Sequence, residues 1–284
     1  MPYANANGVK IYYESIGEGT PFIIHAHHHN KYMPFQVPYF SQFYRVIVTD
    51  RRGTGRSDDP AGPWSAADLA ADLAGLMDDL GLDKAIVGGS SLGGIVSSQF
   101  GLDFPERSLA LIVGHTTPYL WPLGEAWLQE QIDIAASGKK AVIHQPRSYE
   151  WEPEGPPTTD PVFLASMPGQ FIGTLTTGLG GSAESAAKSI AVLRNWDQRP
   201  RYPELNRLDV PALVLVGGNE PQKTLEYAYD WSKEFKRGEY VILPNTHHNA
   251  SNENPLAWNA AVHNFLIRNG VGGERAGESL GSEA

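Results

Sequence analysis

The residues best suited to chemistry in this chain are a serine set among glycines and two runs of histidines. Gly89-Ser90-Ser91-Leu92-Gly93-Gly94 follows the apolar run Ala85 to Val87 and precedes the helix-like Ile95 to Phe100. In a strand–turn–helix setting, a G-x-S-x-G pentapeptide closes a sharp turn around small neighbours and lifts the serine hydroxyl above a sheet. The dipole of the following helix favours an oxyanion developing there. Such a serine is placed to attack a carbonyl. Only Ser91, not Ser90, has glycine both two residues before and two residues after it. The plainer reading of the same segment is a glycine-rich turn that binds phosphate or packs a helix.

A serine held this way needs a sheet beneath it, and the chain supplies short apolar runs bounded by Gly, Pro or Asp. They are Phe22 to Ile24, Tyr44 to Val48, Ala85 to Val87, Leu109 to Val113, Ala212 to Val216 and Tyr240 to Leu243. Runs of this kind suit strands buried on both faces, as in a parallel sheet. Asn7-Gly8 ahead of Val9 to Tyr13 predicts an N-terminal hairpin. Ser65, with Asp68 three residues on, predicts a capped helix that places Leu69, Leu73, Leu76 and Leu80 on one face and ends at Gly81. Pro255 suits the first turn of a closing helix packed through Ala261, Phe265 and Leu266. Alternating strands and helices make the class α/β, a mainly parallel central sheet flanked by helices.

That rhythm breaks between residues 117 and 200, where Trp121, Trp127 and Trp151, the Pro-rich Glu152 to Pro157 and the Gly-rich Gly178 to Gly181 occur. Helical patterns near Gly124 to Ala136 and Ser182 to Arg194 point to a helical cap insertion, since a structureless loop of that length is unusual. The expected organisation is a core of residues 1–116 and 201–270, a cap of 117–200 and a flexible tail of 271–284.

Bulk properties narrow the partners. The 284 residues are 41% hydrophobic and 19% charged, with a net charge of -10, which fits a folded chain that repels nucleic-acid backbones. There are no cysteines, so disulfides and thiolate metal or redox sites are excluded. No secretory signal and no membrane-length apolar run is visible, and the expected location is cytoplasmic. The expected partner is a small molecule, with neither nucleic acid nor membrane bound; nothing in the sequence speaks to oligomeric state.

Further segments resemble a known family. Asp50-Arg51-Arg52-Gly53-Thr54-Gly55-Arg56-Ser57 is similar to the D-x-R-G-x-G-x-S segment of the α/β-hydrolase superfamily. Leu243-Pro244-Asn245-Thr246-His247-His248, followed by Glu253-Asn254-Pro255, resembles the family's catalytic-histidine loop. The resemblance spans most of the chain. It implies the α/β-hydrolase fold, with Ser91 as nucleophile and His248 as base. Glu220, in Val214-Leu215-Val216-Gly217-Gly218-Asn219-Glu220-Pro221, stands where the family usually has the triad's aspartate, one residue from Asn219. The order Ser91, Glu220, His248 agrees with the family's nucleophile–acid–histidine order. The family's second position for the acid holds Gly114-His115 here and offers no carboxylate. For the oxyanion hole the resemblance implies the backbone N–H groups of His27 and Leu92. Ala26 replaces the family's usual glycine there and restricts the backbone.

In that arrangement His27, His28 and His29 share a rim with His247 and His248. Several imidazoles together suit a divalent metal, a polar substrate group or a proton relay. Adjacent histidines cannot all face one ion without a special turn, and the expectation is no metal and no cofactor. His28, His29, His247, Tyr119, Trp121, Trp127 and Trp151 are candidate substrate contacts, with local packing as the plainer role.

The expected activity is hydrolysis of a small-molecule ester or lactone, with amides and carbamates also open, through an acyl-enzyme on Ser91. The alternatives are a C–C bond hydrolase or a cofactor-free lyase or oxygenase on the same scaffold, and a ligand receptor without turnover. Fold alone does not choose among these.

Overall fold

The computed structural model describes residues 3–26, 33–120 and 183–273. In chain order the elements are β1 (Tyr3–Ala6), β2 (Val9–Ile16), β3 (Pro21–Ala26), α1 (Gln36–Phe40), β4 (Arg45–Asp50), α2 (Ala66–Asp79), β5 (Ala85–Ser90), α3 (Leu92–Asp103) and β6 (Ser108–Gly114). They continue with α4 (Ala183–Arg194), α5 (Tyr202–Leu205), β7 (Ala212–Gly217), α6 (Gln222–Glu234), β8 (Gly238–Leu243), α7 (Ala250–Glu253) and α8 (Pro255–Arg268). The eight strands form one sheet in the order β1-β2-β4-β3-β5-β6-β7-β8. Pairing is antiparallel through β1, β2 and β4 and parallel from β4 to β8.

Local chemistry explains the elements. Asn7 and Gly8 both take positive φ, the conformation a two-residue hairpin turn needs, and Ala6 pairs with Val9 across it. Ser65 caps α2 by accepting from the Asp68 N–H, and the Asp68 side chain returns the bond. Leu69, Leu73 and Leu76 are buried and Leu80 packs partly buried beside them, while Gly81 leaves the helix at φ 64°. In α8, Pro255 fills the first turn, and the Asn254 side chain accepts from the Ala257 N–H.

Successive strand residues point to opposite faces, so the sheet divides two cores. Ile23, Ile47 and Val87 pack with α2, α3 and Trp231 of α6 on one side. Phe22, Ile24, Val46, Val48 and Ile86 pack with α1 and with Trp258, Phe265 and Leu266 of α8 on the other.

The chain leaves β3 toward β4 on one side, and β5 lies on the other. The order in which strands are added therefore reverses between β3 and β5, and the crevice beyond the carboxyl ends of these strands is where open α/β sheets bind ligands. His25 near the end of β3 is in register with Gly89 near the end of β5.

The ends of the expected cap meet. Tyr119 bridges to Asp197, the Gln198 N–H donates to the Pro118 carbonyl at 2.8 Å, and the Trp196 indole donates to the Thr117 carbonyl at 2.9 Å. α4 docks on the loop after β4: Ser185 and Lys188 bond Asp59, and Arg51 donates to the Ser189 hydroxyl at 2.7 Å. The rest of the expected cap, with Trp121, Trp127 and Trp151, lies outside the described residues. The expected tail begins too early. Val271 packs into the core and its carbonyl accepts from the Tyr44 hydroxyl at 3.2 Å. Among the described residues, no helix is long and apolar enough to cross a membrane.

Candidate active site

Ser91 sits between β5 and α3 with φ 57° and ψ -119°, a backbone conformation that non-glycine residues rarely hold. Its N–H donates to the Gly114 carbonyl at 2.8 Å, and its own carbonyl accepts from the Ile95 N–H at 3.1 Å. The flanking glycines are needed for space. A Cβ on Gly93 would fall on the His25 carbonyl oxygen, and one on Gly89 would meet the Gly93 backbone at 2.7 Å. The ends of β3, β5 and β6 thus close around the serine, and the Leu92 N–H opens α3 directly beside it. His27, His28 and His29 lie outside the described residues.

Two strands further along the same sheet edge, the loops after β7 and β8 are stitched together. Gly218 N–H donates to the Leu243 carbonyl at 2.7 Å and Asn219 N–H to the Thr246 carbonyl at 2.8 Å. This brings Glu220 and His248 together, with Oε1 and Nδ1 3.0 Å apart. A carboxylate only accepts, so Nδ1 carries the proton and Nε2 is left with its lone pair. The Glu220 side chain is 7% exposed and that of His248 is 54% exposed, so the acid is covered and the imidazole opens to the rim. Desolvation by itself would lower the His248 pKa, but the charge and hydrogen bond of Glu220, with Glu253 adding to them, leave it raised. Burial by itself would raise Glu220; the charge and hydrogen bond of His248, with His115 and His247, leave it lowered.

His247 does not occupy the rim position expected of a substrate contact. Its side chain is 2% exposed, and Glu253 holds it, accepting from the backbone N–H at 2.6 Å and lying 3.1 Å from Nδ1. The alternation of the loop turns one histidine in and the next out. Tyr119 is engaged in packing: the Arg199 guanidinium lies 3.9 Å over its ring and the Tyr227 ring centre is 5.1 Å away.

Two residues at this edge escaped the sequence reading. Glu253, which anchors the histidine loop, was visible there only as part of a motif. His115, at the position noted there only for lacking a carboxylate, places its ring centroid 6.3 Å from that of His248. The signal available for it was a polar residue directly after a buried strand. His25 is likewise buried, and burial, with Arg51 nearby, pushes its pKa down to about 3, so it stands neutral beneath the site. Among the described residues, no group of three or more His, Cys, Asp or Glu side chains is placed to hold a metal ion.

Comparison with known proteins places this geometry among relatives. Residues 22–255 match the profile of the family described as the alpha/beta hydrolase fold. The chain is 30% identical over 235 residues to 3-oxoadipate enol-lactonase 2 of Acinetobacter baylyi, covering 82% of each chain. It is 30% identical over 162 residues to a putative carbamate hydrolase of Azorhizobium caulinodans, covering 54% of this chain and 59% of that one. Among solved structures, the enol-lactonase from Burkholderia xenovorans superposes with a TM-score of 0.76 at 25% identity, over 94% of this chain and 100% of that one.

Proposed function

The chain belongs to the α/β-hydrolase fold family, and from that premise we propose that it is a serine hydrolase of small-molecule esters or lactones. Ser91 is the nucleophile. Its proton passes to Nε2 of His248 as Oγ attacks the substrate carbonyl, and Glu220 stabilises the imidazolium that forms. The Leu92 N–H, with the N–H of His27, stabilises the oxyanion. His248 then gives its proton to the departing alkoxide, which in a lactone stays tethered to the acyl group. Water, deprotonated by His248, attacks the acyl-enzyme, and His248 returns that proton to Oγ of Ser91 as the Oγ–acyl bond breaks and the acid leaves.

The observation that carries this reading is the placement of the strained Ser91 turn and the Glu220–His248 pair on one edge of the sheet, beyond β5, β7 and β8. The name of the 30% identical enol-lactonase, matched over 82% of this chain, favours a lactone or enol ester over other acyl donors.

The test is a panel of p-nitrophenyl esters, lactones, amides and carbamates, run on the protein and on Ser91→Ala. Turnover of an ester or lactone that disappears in the variant, with circular dichroism unchanged, supports the reading. Ser91→Ala turning over at the wild-type rate overturns the nucleophile. Activity confined to C–C cleavage or oxygenation, or binding with no product, replaces the proposed reaction with a different one.

A further inference from the structure

We propose that His115 is a positioning residue whose ring holds the His248 imidazole in the orientation that serves Ser91. The inference rests on the serine-hydrolase reading above and adds a residue to it.

The base needs a second hold. With a side chain 54% exposed, His248 is not locked by packing, and its bond to Glu220 fixes only the Nδ1 corner of the ring. An imidazole pinned at one corner still pivots, and pivoting swings Nε2 off line with the serine. The His115 ring stands beside it with centroids 6.3 Å apart and planes at 71°, inside the range of edge-to-face aromatic pairs.

The support is itself rigid. His115 is 1% exposed, and its N–H donates to the Leu215 carbonyl at 2.7 Å. Its φ of 52° is the left-handed region, uncommon for a side-chain-bearing residue, and is set by the turn out of β6. The preceding residue, Gly114, accepts the Ser91 N–H at 2.8 Å. One dipeptide therefore touches the backbone of the nucleophile and the ring of the base.

Neither ring nitrogen of His115 has a hydrogen-bond partner among the described residues. Burial pushes its pKa down to about 4, with Glu220 opposing and His248 assisting, so it adds no positive charge against an imidazolium at 248. A phenyl ring keeps the aromatic edge-to-face contact while removing both nitrogens.

The test uses His115→Phe, His115→Leu and His115→Asn, read by kcat and KM on p-nitrophenyl acetate, by the rate of fluorophosphonate labelling of Ser91, and by thermal melting. The phenyl variant is expected to keep kcat within about twofold. The Leu and Asn variants are expected to fold but lose kcat about tenfold at unchanged KM, a factor equivalent to about 1.4 kcal/mol of barrier, and to label more slowly. Asn tolerates a positive φ and carries the test if Leu does not fold. Folded Leu and Asn variants with wild-type kcat and labelling make His115 a space-filler and overturn the assignment. So does a phenyl variant as impaired as Leu, and so does failure of both non-aromatic variants to fold. Ser91→Ala in parallel separates the two claims. If it stays active, the nucleophile reading falls; if it is inactive while the Leu variant is normal, only the role of His115 falls.

Discussion

Oε1 of Glu220 and Nδ1 of His248 stand 3.0 Å apart although 28 positions separate them in the chain. The carboxylate is covered and the imidazole is open at the rim, so the charge that forms on one is answered by the other where water competes least on the acid's side. The contact depends on the parallel pairing of β7 with β8, which sets the two following loops side by side.

Replacing that carboxylate tests its role. In Glu220→Gln, His248 loses the charge that raises its pKa above the ordinary 6.5. A general base works only when neutral, so under the proposed mechanism the wild-type kcat/KM falls with acid through a midpoint above 6.5, and the variant's midpoint moves to lower pH. The plateau kcat drops by about 10³ to 10⁴. A pH–rate profile with the same midpoint and plateau in both proteins rules out Glu220 as the partner that tunes His248.

The same pair links stability to pH. The lowered pKa of Glu220 contributes stability that is present above its unfolded value near 4.5 and fades as pH falls through the folded value. His248, raised, contributes fully below 6.5 and loses its share as pH rises through its folded value. Melting curves of wild type and Glu220→Gln are expected to differ most between these two limits. A constant difference from pH 3 to 9 argues that the pair has no linkage to folding.

Gly217→Ala probes the loop contact. A Cβ there would fall on the carbonyl oxygens of His247 and Thr246, which are backbone and cannot swing aside. We expect about 1–3 kcal/mol of lost stability, together with reduced kcat because the loop carrying His248 is pushed outward. Normal turnover in a destabilised variant separates loop position from catalysis.

Arg52 and Asp72 form a buried ion pair with side chains 7% and 4% exposed, and Asn7 also donates to the carboxylate. Burial already lifts the Asp72 pKa in spite of Arg52. Arg52→Ala leaves the carboxylate without its charge partner and is expected to destabilise by about 3–5 kcal/mol. Arg52→Met combined with Asp72→Leu is expected to lose much less. Denaturant titration of the three proteins decides it, and equal losses in single and double variants count against the pair.

Ser65→Ala removes the oxygen that accepts from the Asp68 N–H at the start of α2. About 1 kcal/mol of stability is expected to go with it. Ester turnover should not change. A variant as stable as the wild type by chemical denaturation indicates that water replaces the cap without loss.

Features encoded by neighbours in the chain were legible from the residues alone. The Asn7-Gly8 turn, the Ser65–Asp68 cap, the Pro255 helix start and the turn around Ser91 each follow from a few adjacent side chains and their backbone preferences. Strand centres were legible too, but their ends were not. β5 runs on through Gly88-Gly89-Ser90, because hydrogen bonding to β3 and β6 extends it past its apolar residues.

The glycine-flanked turn at Ser91, together with the resemblance to the α/β-hydrolase family, singled out Ser91, Glu220 and His248 as candidates, and the alternation of apolar runs and helical patterns pointed to an α/β architecture. Which of two adjacent histidines faces outward, the anchoring of His247 by Glu253, and the approach of His115 to His248 were decided only by the folded chain. These contacts join loops carried by separate strands, and their geometry is set by how the sheet pairs and twists. No local preference of the participating residues encodes that information.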